Sequence, residues 1–474
     1  MKYRPSKRVV WLAVPFVLVV LMFGLLWYAG QPDSEAIATR GAKPPPDKRF
    51  SLANPGSWGV SAGWLGDGMD ALMEWEHNPW KDEWKRDRSF GKRLSELERS
   101  DRPEDKAELE RLKKLGREWY ERILSRYPEL AMQPDKEIPR AENGFLQWQE
   151  LLKRVKESGK DGIFDTALSQ DLVDHLRKNT EPDMAAVNSW LEANRARIDE
   201  IRAIGLLSGQ SSAGMTEDER VQGSIQWTRS ASKALMLDAR AAVAAGDMER
   251  ALESIRAVNG LAEHLSGTRA SSLMGTMVAA TMRSQMQEYV LNQLLPSAPA
   301  GSADLAAWQS ALDLKMRPPS EVANGLRAEW NEAMPRQLLP ILSDSADPGT
   351  PRDGDYLAET YTRHMQALMQ QAEVTSLRDY AASSRVETST EQLSRRSRDL
   401  GLVNQWDPRG VFLRNQENTG LTQAAFAVMN GQPVPLDPVY GLPYKWDPVK
   451  RELGPPDPPN GRNYKLKPIK VPKM

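Results

Sequence analysis

The chain contains no cysteine. Disulfides, thiolate metal sites and a cysteine nucleophile are thereby excluded, and packing and polar networks alone must hold the fold. Net charge is nearly absent as well, with 63 Lys and Arg against 64 Asp and Glu. No global field draws nucleic acid to such a surface, so nucleic-acid binding falls away as a function class. Histidine is scarce: His77, His175, His264 and His364 lie in four separate helical segments and read as surface or capping residues. The patterns H-E-x-x-H and G-x-x-x-x-G-K-[ST] do not occur, which removes the zincin and P-loop signatures. Glu253 with Glu263-His264 is the nearest approach to a reactive pair. No catalytic residue and no cofactor is assigned.

One apolar run stands out. Residues 9–29 (VVWLAVPFVLVVLMFGLLWYA) carry no charge and follow Lys2, Arg4, Lys7 and Arg8. At roughly 1.5 Å per residue a helix of this length covers about 30 Å, the hydrocarbon thickness of a bilayer. The basic flank predicts a cytoplasmic tip at residues 1–8 and a transmembrane helix at 9–29, with Trp27 and Tyr28 at the outer interface. The body then lies outside the cytoplasm, anchored in a bacterial inner membrane. A cleavable signal with Ala36-Ile37-Ala38 as its site is the alternative, but the apolar stretch exceeds a normal signal core.

Residues 30–59, with Pro44-Pro45-Pro46 in the middle, read as an extended linker. Helical text follows, and the predicted fold class is mainly α. A first helical subdomain covers residues 60–207, a second covers 217–428, and a C-terminal β-hairpin region with a basic, proline-rich tail occupies 429–474. Trp58, at the end of the linker, with Trp64, Trp75, Trp80 and Trp84 of the first subdomain, is read as packing an initial helical layer. Leu109, Leu112, Leu115, Trp119, Ile123 and Leu124 form one apolar stripe on a helix that starts near Pro103. Further helices are expected at about 144–158, 163–178 and 182–206, before a Ser- and Gly-rich loop at 208–216 that marks a candidate boundary.

In the second subdomain, residues 234–267 read as two apolar-periodic helices hinged at Gly246-Asp247. They resemble one tetratricopeptide-type unit, with Ala251 and Ile255 at its packing positions. A solenoid needs about three such units, so a packed helix hairpin is the reading. The next helix, from Ser271, is apolar nearly all round and carries Met274, Met277, Met282 and Met286, which calls for burial on several sides. The segment 230–295 is therefore the expected packing centre. Ser302 is expected to cap a helix with Trp308, Leu312 and Leu314, and two long helices are expected at about 319–342 and 356–400. Asp344, Asp347, Asp353 and Asp355 between them read as turn residues, since their spacing does not fit a calcium loop.

The chain closes differently. In PVPLDPVYGLPYKWDPVKREL, Asp437-Pro438 starts a turn, Gly441 permits a positive φ, and Tyr440, Tyr444 and Trp446 supply strand-favouring rings. A hairpin at 435–446 is expected, with a second turn at Asp447-Pro448 and a short strand at 464–467. The residues Asp437, Pro438, Gly441, Pro443 and Tyr444 within this stretch also resemble the C-terminal D-P-x-x-G-x-P-Y segment of type II secretion major pseudopilins and of single-pass bacterial envelope proteins. That resemblance implies a calcium-binding role for Asp437. The pseudopilin leader and its glutamate have no counterpart in residues 9–29. Around the motif, Lys445, Lys450, Arg451, Arg462, Lys465, Lys467, Lys470 and Lys473 outnumber Asp447, Glu452 and Asp457, a tail suited to solvent or to anionic headgroups and acidic envelope polymers.

These features point to an anchored extracytoplasmic helical scaffold or assembly protein with an envelope protein partner. A muramidase-like cell-wall hydrolase is the enzyme alternative, because carboxylates are abundant. A secretion or pilus-associated component is the third reading, and it rests on the closing motif.

Overall fold

The computed structural model describes residues 96–160, 162–178, 180–215, 224–269, 271–299, 304–344, 351–374, 376–383, 408–457 and 466–473. The expected membrane span, the linker, the tryptophan cluster and His77 lie outside them. Among the described residues no helix is long and apolar enough to cross a membrane. Among the described residues fourteen α-helices carry the fold, one of them the three-residue turn Leu295–Ser297, and a small antiparallel sheet closes it.

Helix α1 (Pro103–Arg126) buries Leu112, Gly116 and Ile123 along the stripe its sequence announces. Proline opens it, and Asp105 accepts a hydrogen bond from the Ser100 hydroxyl. Helix α2 (Gly144–Glu157) is capped by the Asn143 side chain on the Leu146 N–H. The next two predicted helices are shorter than expected. Residues 162–169 are irregular, so α3 spans only Gln170–Lys178. The 182–206 helix breaks at Asn194 into α4 (Met184–Ala193) and α5 (Arg195–Gly205). Asn194 turns its amide oxygen to the Asp165 N–H and its amide N–H to the Trp190 carbonyl, a local side-chain alternative to the helical ladder.

The hairpin of α6 (Ser224–Ala244) and α7 (Met248–Ser266) forms as expected. Gly246 takes φ +76° and Asp247 caps α7 through the Arg250 N–H. Helix α8 (Leu273–Tyr289) follows and runs on through a π-helical turn at Val290–Leu294. Met277, Met282 and Met286 are buried and Met274 is 53 % exposed. The segment is the packing centre, since α7 lies against α2, α5, α6, α8 and α9. Among the described residues its flanks are thus occupied by other helices.

Helix α9 (Leu305–Leu312) is capped by Asp304 on the N–H groups of Ala306 and Ala307, a role the sequence reading gave to Ser302. Helices α10 (Ser320–Asp344) and α11 (Pro351–Ala372) pack on each other and α10 packs on α1. Asp353 and Asp355 therefore sit in the first turns of a helix, not in a loop. The long helix expected to reach residue 400 stops at Ala372. Ser376 then caps α12 (Leu377–Ala382) through the Asp379 N–H. Helix α13 (Pro408–Met429) is buried on nearly every side.

Two cores result. The larger gathers α2 to α9 with the second half of α13, so helices from both predicted subdomains share it. The smaller gathers α1, α10, α11 and α12. Helices α8 and α13 lie side by side and serve both: Leu273 and Met277 face the smaller core and Met282 and Met286 the larger, while Phe412 and Leu421 divide likewise.

The sheet has strands β1 (Lys445–Asp447), β2 (Glu452–Gly454) and β3 (Ile469–Lys470), in that order and antiparallel. Trp446 pairs with Leu453, and Leu453 with Ile469. The hairpin turn is the second Asp-Pro: Asp447 accepts the N–H groups of Val449 and Lys450 at 3.0 Å. The first Asp-Pro makes a tight turn with one bridge, Leu436 to Pro443. The third strand falls at 469–470, later than the expected 464–467, whose first residues lie outside the described set. Gly441 has φ +68°, as its sequence position requires, and a Cβ there would also meet the Arg378 guanidinium. Gly441→Val is expected to lower stability by about 1–3 kcal/mol, seen as a lower Tm. An unchanged Tm would refute a docked turn.

Candidate functional site

A charged cleft opens where the two cores meet. Thr276, Ala280, Arg283 and Gln287 recur at helical spacing along one face of α8, and Phe412, Asn415, Gln416 and Thr419 do the same on α13. The α9–α10 connection supplies Asp313, Lys315 and Arg317, and the first turn of α10 supplies Glu321. Together they line a narrow cleft with room for about one water molecule inside its mouth.

Glu263 on α7 anchors the charges. It accepts from Arg283 Nη2 at 2.9 Å and from Arg317 Nη2, and the latter also reaches Asp313 at 3.0 Å. The second face of Arg317 looks toward Glu321 at 3.6 Å. Burial pushes the Glu263 carboxyl up, but Arg283 and Arg317 outweigh it and hold the group below its usual value. Glu321 moves the other way: burial raises it, and the same two arginines, already committed to Glu263, do not reverse that. Burial also lowers Arg283, which is only 7 % exposed. The Nε atoms of Arg283 and Arg317 are buried without a hydrogen-bond partner.

The polar walls are fixed by bonds of their own. Gln416 accepts the Arg317 backbone N–H at 2.8 Å. Gln287 donates to Thr419 and accepts from Asn418, both at 3.2 Å, and Ser284 donates to Asn415. Such a satisfied network sets the spacing of α8 and α13. Lys315 stands at the mouth with its ammonium 3.2 Å from Asp313 and its side chain two-thirds exposed. Lys315 is thus the exposed cation among the described lining residues, next to Asp313, and the two guanidinium groups behind it are already paired with Glu263, Asp313 and Glu321.

The residues singled out in the sequence lie elsewhere. Asp437, Pro438 and Gly441 form the tight turn against α13, with Pro443 and Tyr444 on its exit and Trp446 on β1. Asp437 is buried. One oxygen accepts the N–H groups of Val439 (3.0 Å) and Tyr440 (2.6 Å), and the other accepts the Tyr444 hydroxyl at 3.2 Å. A calcium ion needs six or more oxygen donors. The groups around Asp437 are hydrogen-bond donors, so they do not fit calcium, and among the described residues no three His, Asp or Glu side chains are grouped to hold a metal. The three described histidines are buried, contrary to the surface reading. His175 meets the Tyr289 hydroxyl at 3.0 Å, and His264 meets the Ile204 carbonyl at 3.0 Å with its ring against Gly144. Glu263, not Glu253, joins the charge network.

No family model, no curated protein and no solved structure matches this chain.

Proposed function

We propose that the chain is a membrane-anchored, extracytoplasmic helical interaction protein whose envelope partner presents an acidic group to the cleft between α8, α10 and α13. The supporting observation is the charged cluster at the junction of the two cores, where Lys315 is exposed beside Asp313 and the mostly buried Arg317 and Arg283 are held by Glu263. An acidic group of the partner would take Lys315 from Asp313, and a rigid polar wall confers register more than raw affinity. The anchor at residues 9–29 and the basic tail would hold the body near the membrane surface.

The test is in-cell photocrosslinking from a position beside Lys315, in the full chain. Lys315→Glu is expected to cut capture of an acidic envelope partner by about tenfold or more. Its Tm should not change, because an exposed ion pair contributes little. Equal capture by both forms would refute the reading.

A muramidase-like activity is the second reading, and one observation favours it. Glu263 and Glu321 flank Arg317 with their proton affinities displaced in opposite directions, the pattern of an acid and base pair. Release of soluble fragments from cell-wall sacculi by the purified protein, lost in Glu321→Gln, would favour the hydrolase over the scaffold.

A further inference from the structure

The closing turn is attached to α13 by an unusual pairing of carboxyl groups with tyrosines. Asp437 is held by the Tyr444 hydroxyl and by two backbone N–H groups of its own turn. Glu417, buried on α13, accepts from the Tyr440 hydroxyl. One turn further along α13, Gly420 lets Pro438 and Tyr444 close in: a Cβ there would stand 2.5 Å from both. Val439 is wholly buried beneath the turn, in the smaller core. Two buried carboxyl groups from two elements thus lie within reach of each other's charge. We propose that residues 435–444 are a pH-sensitive latch on α13, closed while Glu417 carries its proton and loosened when Glu417 and Asp437 are both ionised.

The charges around Glu417 set the direction. Burial is the largest influence and raises its carboxyl to about 7; the Tyr440 hydroxyl lowers it, Asp437 raises it and Arg414 on α13 lowers it. Asp437 is raised as well, first by burial. On α12, Arg378 lies against Gly441, and on α8 Glu288 shares the fields of Arg414 and Lys467. None of these neutralises the pair. A carboxyl raised in the fold gives stability that is complete below its unfolded value and is lost as pH rises through its folded value. The window for Glu417 is therefore from about pH 4.5 to about pH 7. His175, His264 and His364 are lowered by burial and work oppositely, losing stability as pH falls. A global melting curve mixes the two, so the readout must be local.

The absence of cysteine supplies one. Val439→Cys places a single thiol beneath the latch, and its labelling by dithiodipyridine, divided by the rate in denatured chain at each pH, gives its protection. Protection is expected to fall about tenfold or more between pH 5.5 and 8.5. Adding Glu417→Gln should flatten that fall, and adding Tyr440→Phe should move its midpoint upward. In the unaltered chain, hydrogen exchange of residues 436–446, corrected for intrinsic rates, should follow the same profile while the α6–α7 hairpin does not. Constant protection across the range, the same fall with Gln at 417, or loosening shared equally by α6 and α7 would each overturn the latch.

Discussion

Replacing Asp238 by alanine is expected to cost the fold about 3–5 kcal/mol, read as a lower chemical-denaturation midpoint at unchanged slope. Its side chain has no solvent exposure and stands among cations: Arg195 at 2.8 Å, Arg202 at 2.7 Å and Arg250 at 3.8 Å. The Ser254 hydroxyl donates to it at 2.8 Å. Thus α5, α6 and α7 are tied through one carboxylate. Burial alone would raise that group, but Arg202, Ser254, Arg195 and Arg250 prevail and lower it. A carboxyl lowered in the fold gives stability that is present above its unfolded value and is lost as pH falls through its folded value. Asp238→Asn should therefore cost less than alanine at pH 7 and flatten the acid limb below about pH 4. Removing the carboxylate takes from Arg202, whose side chain is mostly buried, its one fully buried acidic partner, leaving it the half-exposed Asp199 at 3.0 Å and the Ser254 hydroxyl. A loss below about 1 kcal/mol for Asp238→Ala would mean that the arginines are satisfied by water.

Legibility along the chain follows burial geometry. The α6–α7 hairpin was readable because apolar residues repeat with the helical period up to a Gly-Asp hinge, and Ala251 and Ile255 are indeed buried where that period puts them. Helix α13 carries no such signal: two cores and the closing turn cover it, so Asn415, Gln416, Asn418 and Thr419 are buried beside Phe412 and Leu421. A one-face pattern presumes a solvent face, and this helix has almost none. Asp238 lay within the readable hairpin but looked like an ordinary polar position. Only the approach of Arg195 and Arg202, from 43 and 36 residues away, makes it a hub. The cleft was invisible for the same reason, since Arg283 and Arg317 lie 20 and 54 residues from Glu263. The polar stripe of Thr276, Arg283 and Gln287 within an apolar helix was the one available hint. In the closing motif, residue chemistry named both Asp-Pro turns and the positive φ at Gly441. It did not rank the turns, because strand pairing of β1 with β2 depends on Leu453 and Ile469 reaching the larger core.

Gly260→Ala is expected to lower stability by about 3 kcal/mol or more, against the sign that helix propensity gives. By propensity alone, alanine inside α7 should gain up to about 1 kcal/mol over glycine. The crossing of α7 with α5 decides otherwise. A Cβ on Gly260 would stand 1.7 Å from the Gly205 carbonyl oxygen and 2.8 Å from its carbon, and a Cβ on Gly205 would stand 2.5 Å from the Ala257 carbonyl oxygen. These are backbone atoms, so no rotamer change relieves the overlap and the two helices must part. Parting reaches further than the crossing itself. His264, one turn beyond Gly260, bonds the Ile204 carbonyl and packs on Gly144, which seats α2. Glu263 beside it holds Arg283 and Arg317 at the cleft. Gly246→Ala is the control: it has φ +76° but open space around it, so only backbone strain of about 1–2 kcal/mol applies. Thermal melts of the two variants should therefore separate widely, and Gly260→Ala should also weaken crosslinking from beside Lys315 while Gly246→Ala leaves it intact. A Tm raised by Gly260→Ala would show that α5 and α7 do not meet backbone to backbone.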